Sequence, residues 1–197
     1  MVKIILLIGA PGSGKGSLGK MCEKHGHIHI SSSRLLTQAG YDMKHSRDIP
    51  DEVVVGLIQK VISAGHNNST VILDGFPRNM NQVKALEQEI EVTKAIYLKI
   101  SKGIALQRVM QRLVCPVCGE IYNTDGNKQP KIEEICDICG GLLEKRHSDD
   151  KKTFQKRLAY FARNTYPVIK YFGETGKTIT LDATKVNEET ITMIDSL

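Results

Sequence analysis

Residues 3–20 read KIILLIGAPGSGKGSLGK, and this stretch decides the fold. The apolar run at residues 4–8 is typical of a buried β-strand, and it leads directly into the glycine-rich segment 9–17. The residues after that segment follow the periodicity of a helix. A strand, a glycine loop and a helix in this order predict a phosphate-binding loop.

The chemistry of phosphate binding explains the composition of this loop. Backbone N–H groups can wrap a polyphosphate only where no Cβ atom crowds the oxygens, and the following helix turns the positive end of its dipole toward the same anion. Lys15 adds a mobile positive charge and Ser17 a hydroxyl. A glycine-rich turn without a ligand is the alternative, but it leaves the lysine and the hydroxyl unexplained. The residues predicted to bind phosphate are Gly12, Ser13, Gly14, Lys15, Gly16 and Ser17.

Composition indicates an ordinary globular chain. The 197 residues can bury one substantial core with room for a small inserted module, and the contents of 41% hydrophobic and 25% charged residues are typical of soluble proteins. The net charge of +5 suits the handling of small polyanions without requiring nucleic acid. No segment is apolar for long enough to span a bilayer, and residues 2–8 are too few for a signal-peptide core. We therefore expect a cytoplasmic protein.

The order of predicted elements indicates an α/β fold. Five β-type segments, at 4–8, 27–30, 70–73, 94–100 and 178–181, alternate with helical patterns. This alternation predicts a five-stranded parallel sheet with helices on both faces, a P-loop NTPase core. Ligands of such sheets bind at the carboxyl ends of the strands, where the glycine loop and residues 74–78 both fall. Pro167 is expected to kink or shorten the longest helical pattern, at 149–172.

A cysteine-bearing segment interrupts this alternation and predicts a small zinc-ribbon-like insertion. Cys115, Cys118, Cys136 and Cys139 form two CxxCG knuckles separated by seventeen residues. Four thiolates at this spacing can close a tetrahedron around Zn²⁺, and a site filled by four sulfurs is structural rather than catalytic. Unliganded thiols and two disulfides are the alternatives, of which disulfides do not suit a reducing compartment. Cys22 lies in a helical pattern and is expected to pack in the core.

Several motifs together resemble the adenylate kinase family. Gly16 separates Lys15 from Ser17, whereas the general P-loop pattern has Ser or Thr directly after the lysine. Residues 74–78 read DGFPR, as in that family, and Gln82 stands where the family reads the acceptor adenine. The cysteine segment corresponds to the lid of the family's metal-bearing branch. Arginines that match the family's positions before and after the lid are Arg108, Arg112, Arg146 and Arg157.

The resemblance implies phosphoryl transfer from Mg·ATP to AMP, giving two ADP. The implied catalytic residues are Lys15, Arg78, Arg108, Arg146 and Arg157, and Arg108 and Arg112 also bind ATP. The implied AMP-binding residues are Ser32, Arg34, Gly75, Arg78 and Gln82. Asp74 and Asp149 would orient the waters of Mg²⁺.

The implied domains are a core at 1–30, 65–113 and 148–197, a shortened monophosphate lobe at 31–64 and a zinc lid at 114–147. The expected partners are ATP and AMP, with no membrane or nucleic acid, and the expected state is a monomer.

The acceptor side departs from the family pattern. Where the family reads S-T-G-D-x-[LI]-R, this chain reads SSSRLLT at residues 31–37, so Arg34 replaces an aspartate and Thr37 replaces an arginine. The segment between Thr37 and Asp51 is also shorter than is usual in the family. One hypothesis is that Arg34 substitutes for the missing clamp on the acceptor phosphate. Another is that the acceptor is a different nucleoside monophosphate.

A nucleotide-binding protein without catalysis, built from a P-loop and a zinc ribbon, is the alternative from another class. Such a protein needs the loop and the ribbon, but it does not need arginines on both sides of the lid. The ribbon also lacks the interleaved aromatic residues on which single-stranded nucleic acid stacks, since Tyr122 is its only aromatic. The sequence therefore favours the kinase.

Overall fold

The computed structural model describes residues 2–41, 49–64, 70–124 and 128–197. Residues 42–48 of the predicted monophosphate lobe, 65–69 of the predicted core and 125–127 of the predicted lid lie outside the described residues. The strands are β1 Lys3–Gly9, β2 Ile28–Ser31, β3 Thr70–Asp74, β4 Lys94–Lys99, β5 Arg112–Val114, β6 Ile121–Asn123 and β7 Thr178–Asp182. The helices are α1 Lys15–Lys24, α2 Ser32–Gln38, α3 Asp51–Ser63, α4 Met80–Glu87, α5 Lys102–Met110, α6 Lys151–Tyr160, α7 Tyr166–Glu174 and α8 Glu188–Asp195.

Five parallel strands form the central sheet, in the order β2-β3-β1-β4-β7. This confirms the predicted α/β fold with its five-stranded parallel sheet. The three inner strands β1, β3 and β4 contain apolar runs because both faces of a parallel sheet are buried there. β1 is the middle strand, so the loop that follows it opens at the centre of the carboxyl edge. None of the helices in the described residues is both long and apolar enough to cross a lipid bilayer.

Helices cover both faces of the sheet, as predicted. Because side chains alternate along a strand, Ile4, Leu6 and Ile8 of β1 face one layer and Ile5 and Leu7 face the other. The first layer contains buried residues of α3, α4 and α7, and the second contains buried residues of α1 and α8. This two-sided burial holds β1 rigidly, which fixes the position of the glycine loop that follows it.

The helix before the cysteine segment is shorter than the sequence pattern indicates. Residues 102–113 follow a helical pattern that predicts one helix, but α5 stops at Met110 and β5 begins at Arg112. β5 pairs antiparallel with β6 and also exchanges backbone hydrogen bonds between Val114 and Glu144. These partners come from later in the chain, and they draw Leu113 into a small separate core with Tyr122.

The longest helical pattern is interrupted, as Pro167 predicted. A π-helical turn, Phe161–Thr165, separates α6 from α7, and Pro167 lies in the first turn of α7. Proline has no N–H and its ring crowds the carbonyl one turn earlier, so a straight α-helix cannot continue through it. Asp150 caps the start of α6 by accepting a hydrogen bond from the Thr153 N–H at 2.8 Å.

Candidate active site

The glycine loop after β1 closes around the ammonium group of Lys15. Gly12 has a φ of 81°, and a Cβ there would lie 2.4 Å from a backbone carbonyl oxygen of α5, so this position requires glycine. Lys15 Nζ donates to the carbonyl oxygens of Gly9 at 2.7 Å and Ala10 at 3.1 Å, and to Ser13 Oγ at 3.3 Å. Withdrawal of this ammonium from water by burial lowers the pKa of Lys15 to about 8.

An arginine cluster lies beside this loop and surrounds one carboxylate. Arg112 binds Asp149 through two N–H groups, with Nε 2.6 Å from Oδ2 and Nη2 2.5 Å from Oδ1. Arg157 Nη1 lies 3.8 Å from Asp149 Oδ1, and the side chain of Asp149 is only 2% exposed. Arg78 and Arg146 lie close enough to affect the titration of Arg157 electrostatically. The helix α6 and the strand β5 thus bring distant arginines together at one point.

Cations outnumber carboxylates in this cluster among the residues that the structure describes. There, five cationic side chains face two carboxylates, Asp74 and Asp149. Arg157 Nη1 is buried and makes no hydrogen bond to any described residue. Burial, followed by the charges of neighbouring arginines, lowers the pKa of Arg157 to about 10, and burial also lowers the pKa of Arg146. Arg78 and Arg146 are exposed and the other three cationic residues are half-buried, so the cluster is open to a ligand. An excess of such cations with a spare donor fits a polyanion, because guanidinium groups bind phosphate oxygens and stay charged when a ligand excludes water. The cationic residues are Lys15, Arg78, Arg112, Arg146 and Arg157.

Asp74 and the residues after it connect the loop to the second half of the site. Asp74 ends β3, and its Oδ2 lies 3.7 Å from the place that a Cβ on Gly16 would occupy. Gly75 has a φ of 84°, and a Cβ there would lie 2.7 Å from Ser32 Oγ. This close approach packs the segment after β3 against the start of α2. Asp74 therefore lies between the phosphate-binding helix and the segment that carries Arg78.

Arg78 is held by hydrogen bonds to its side chain and its backbone. Its Nε donates to the Gly75 carbonyl oxygen at 2.6 Å, and its backbone N–H donates to Gln82 Oε1 at 2.6 Å. Gln82 Nε2 donates in turn to Asp51 Oδ1, at the start of α3, at 2.8 Å. The amide of Gln82 thus joins Arg78 to α3. Both of its polar atoms have protein partners.

The four knuckle cysteines converge at one point of the lid. Their sulfur atoms all lie within 4.8 Å of one another, with Cys115 Sγ to Cys139 Sγ at 3.4 Å and Cys118 Sγ to Cys136 Sγ at 3.5 Å. Zn–S bonds of about 2.3 Å place tetrahedral sulfurs about 3.8 Å apart, so the four side chains fit Zn²⁺. The two knuckles also share a backbone pattern, because the N–H groups of the two glycines after them donate to Cys115 O and Cys136 O, both at 2.9 Å.

The lid contacts the core directly at α1. Lys20 Nζ donates to the Gly119 carbonyl oxygen and to Glu120 Oε2, both at 2.8 Å. Lys128 also donates to Glu120. Burial raises the pKa of Glu120, but the hydrogen bonds from the two lysines outweigh it and lower this pKa to about 2. The first knuckle is therefore held against the helix that starts at the phosphate-binding loop.

Comparison with known proteins agrees with this geometry. The family model described as "Adenylate kinase" matches residues 7–177. The chain belongs to the adenylate kinase family. It is 34% identical to an adenylate kinase of Rickettsia bellii, over 95% of this chain and 94% of that protein. It is 35% identical to one of Mesoplasma florum, over 85% and 86%, and 33% identical to one of Thermosipho melanesiensis, over 90% and 91%.

Most of the site residues implied by the family resemblance lie at the carboxyl edge of the sheet. The cluster brings together Lys15, Arg78, Arg112, Arg146, Arg157, Asp74 and Asp149. Arg108 lies beside the loop: its Nη1 is 3.8 Å from the place of a Cβ on Gly14 and donates to the Ala183 carbonyl oxygen at 3.1 Å. It thus stands between the glycine loop and the segment after β7, on the side predicted for ATP. The positions agree with the roles that adenylate kinase membership implies, and those roles are proposals for this chain.

Arg34 is not brought to the cluster. Its Nη2 donates to the His29 carbonyl oxygen at 2.8 Å and lies 3.7 Å from Glu23 Oε1 on α1. The side chain is 45% exposed and directed toward α1. The hypothesis that it binds the acceptor phosphate therefore requires it to leave these partners, and it stays a prediction.

Two features of the site have no counterpart in the sequence analysis. His29 is buried against Gly19, and its Nε2 lies 3.8 Å from Asp74 Oδ2. Thr165 donates to the Arg78 carbonyl oxygen at 2.8 Å. His29 lies within the predicted strand at 27–30, directly after Gly26. A histidine at that position of a predicted strand could have indicated a buried imidazole near the site. Thr165 carried no such signal, since a threonine in a helical pattern is ordinary.

Proposed function

We propose that this adenylate kinase family member transfers the γ-phosphoryl group of Mg·ATP to AMP and yields two ADP. The observation that carries the proposal is the excess of cationic over carboxylate side chains in the arginine cluster beside the glycine loop, counted over the described residues. Two nucleotides that react must bring their phosphates within bonding distance. At about 4 Å each pair of unit charges repels by roughly 1 kcal/mol in water and about 4 kcal/mol at an intermediate dielectric. A surplus of fixed cations offsets this repulsion.

In the proposed mechanism each residue of the cluster has its own role. The loop N–H groups and Lys15 hold the β- and γ-phosphates of ATP, with Arg108 on the outer side of the loop. Arg78 holds the acceptor phosphate, whose oxygen attacks the γ-phosphorus in line with the leaving oxygen. That oxygen is already anionic, so no general base is needed. Arg146 and Arg157 stabilise the charge that spreads over the transferring group, and Asp149 fixes Arg112 beside them.

Two metals complete the proposal. Mg²⁺ bound together with ATP would neutralise charge on its phosphates, and Asp74 and Asp149 are the carboxylates proposed to orient its waters, Asp149 through Arg112, which binds it. Zn²⁺ would be bound by Cys115, Cys118, Cys136 and Cys139, whose sulfurs fit it. Its part is structural, because the lid core contains few apolar side chains and two of its five buried members are themselves cysteine ligands.

A panel of acceptors tests the proposed reaction. ADP formation from Mg·ATP is measured with AMP and, in parallel, with UMP, CMP, GMP and dAMP. We expect AMP to give the highest kcat/KM. A Lys15→Met protein prepared identically controls for contaminating kinases. A different preferred acceptor would show that Gln82, which is hydrogen-bonded to Asp51 and Arg78, does not select adenine. Absence of turnover with retained ATP binding would leave the non-catalytic alternative.

The pKa of Lys15 predicts how ATP affinity depends on pH. The free protein has a Lys15 pKa of about 8, below the ordinary value of 10.5, and bound phosphates raise it again by stabilising the ammonium. Affinity is therefore close to its maximum at about pH 7 and below and falls as pH rises through 8, by roughly 25-fold between pH 7.5 and 9.5. Titration calorimetry with Mg·ATP measures the slope. Lys15→Met should bind weakly with a flat profile, and an equal slope in that variant contradicts the assignment.

Other expectations stay predictions for this chain. These are the domain boundaries at 31–64 and 114–147, a monomeric state, a cytoplasmic location, and the lack of membrane or nucleic-acid partners. Ser32 and Gly75 are proposed to line the AMP site, because they meet at the start of α2 beside Arg78. Gly12, Ser13, Gly14, Gly16 and Ser17 are proposed to contact ATP through the loop.

A further inference from the structure

The π turn between α6 and α7 ends on a buried threonine that reaches the acceptor side. Thr165 is 8% exposed, and its Oγ1 donates to the Arg78 carbonyl oxygen at 2.8 Å. A helical threonine usually donates to a carbonyl one turn earlier in its own helix. Here the bond goes instead to a residue 87 positions away. This hydroxyl therefore joins two elements of the site rather than stabilising its own helix.

The π turn sets the direction in which Thr165 points. The Tyr166 N–H donates to the Phe161 carbonyl oxygen, five residues back, which adds one residue to the turn. In an unbroken α-helix Arg157 and Thr165, eight positions apart, would point about 80° apart, and one added residue brings them to within about 20° of each other. The added residue therefore lets one helical segment direct Arg157 into the cluster and Thr165 toward Arg78.

The contacts of Arg78 show what this bond can control. The residue's N–H and Nε are bound by Gln82 and Gly75, both close in sequence. Thr165 adds an anchor from a distant element, packed through Val168 and Phe172 against the sheet. An arginine held in place in advance loses less freedom when it binds phosphate, so its affinity for the acceptor is higher. Loss of the anchor should weaken acceptor binding without affecting the glycine loop.

We propose that Thr165 is a positioning residue for Arg78 and, through it, for the phosphate of the acceptor nucleotide. The inference rests on the proposed function, since it assumes that Arg78 binds the acceptor. The π turn then links Arg157, on α6, to Arg78, which follows β3. The two guanidinium groups are thereby positioned by the same helical segment.

Thr165→Val removes the hydroxyl with little change of shape. We expect the KM and the dissociation constant of AMP to rise about fivefold to tenfold, with those of Mg·ATP unchanged within about twofold. Thr165→Ser keeps the donor and should restore AMP affinity. Thr175→Val is the matched control, because its hydroxyl donates to the Phe172 carbonyl oxygen of α7 and not to Arg78. Equal losses for both nucleotides, or no loss for AMP, would overturn the proposal.

A second measurement does not depend on turnover. The hydrogen exchange rate of the Arg78 Nε–H, followed by NMR in the full chain without nucleotide, reports how firmly the guanidinium is held. We expect faster exchange in Thr165→Val and wild-type exchange in Thr165→Ser and Thr175→Val. If wild-type protein binds no AMP, the proposed function fails, and this exchange rate alone decides whether Thr165 positions Arg78. Unchanged exchange in Thr165→Val overturns the positioning role.

Discussion

Arg157→Met is expected to lower kcat for phosphoryl transfer by about a thousandfold, since arginines that stabilise a transferring phosphoryl contribute about 10³ to 10⁵ in rate. Arg157 is placed for this because its Nη1 is buried, lies 3.8 Å from Asp149 and makes no hydrogen bond to a described residue. That donor is available to a phosphate oxygen. Initial rates at saturating Mg·ATP and AMP measure the effect.

The same substitution is expected to raise the melting temperature. Burial and neighbouring arginines lower the Arg157 pKa to about 10, which means that folding disfavours its charged form. An apolar side chain of similar length removes that penalty, and a gain of about 1 kcal/mol corresponds to about 2–4 °C for a chain of this size. Lys156→Met is the matched control, because Lys156 is an exposed neighbour on α6. A variant that keeps its kcat within tenfold, or that melts earlier, contradicts this account.

Cys136→Ser is expected to abolish stoichiometric zinc binding and unfold the lid. Loss of a residue that only supports a metal ligand lowers metal affinity by roughly 10- to 100-fold. Loss of a direct ligand should lower zinc affinity further. Structural zinc contributes about 10–16 kcal/mol to folding in small zinc domains, and the lid core has little else to replace it. Zinc content per chain and hydrogen exchange of the lid amides measure the two effects. We expect kcat to fall strongly, because Arg112 and Arg146 flank the lid.

ATP affinity should change much less, since the glycine loop belongs to the core. Cys22→Ser provides the control: Cys22 is also buried, but it lies on α1 and packs in the core with residues of the sheet and of α8. It should keep one zinc and a fully protected lid. If Cys136→Ser kept its zinc, the ligand set would be wrong. If it lost ATP binding while the core stayed folded, the metal would not be merely structural.

The elements that the sequence predicted correctly are those defined by local pattern. The three inner strands contain apolar runs, and the two edge strands are short β-type segments between helical patterns. The loop at 9–17 has a pattern of glycines, lysine and serine that few other structures require. The four knuckle cysteines could be assigned to one site from their spacing alone, because two CxxCG turns can bring all four sulfurs to the same point. Arg78, Arg146 and Arg157 were placed through the family resemblance, and the structure gathers them at the expected edge of the sheet.

The elements that the sequence did not predict depend on distant partners. Residues 112–114 continue a helical pattern, and they form a strand because Ile121 and Glu144 offer pairing. The orientation of Arg34 depends on Glu23, an exposed acid of a different helix. A π turn has nearly the periodicity of an α-helix, so Thr165 could not be singled out.

The contact of Lys20 with the lid bears on how long products are retained. The two side chains of the Lys20–Glu120 pair are 20% and 15% exposed, so water and salt still reach the pair. A contact of this kind is worth about 1 kcal/mol, which slows its rupture about fivefold. A contact of this strength favours the position of the lid against α1, but it is too weak to retain a nucleotide by itself. We expect the residence time of a bound nucleotide to be governed by the arginines and the loop rather than by this contact.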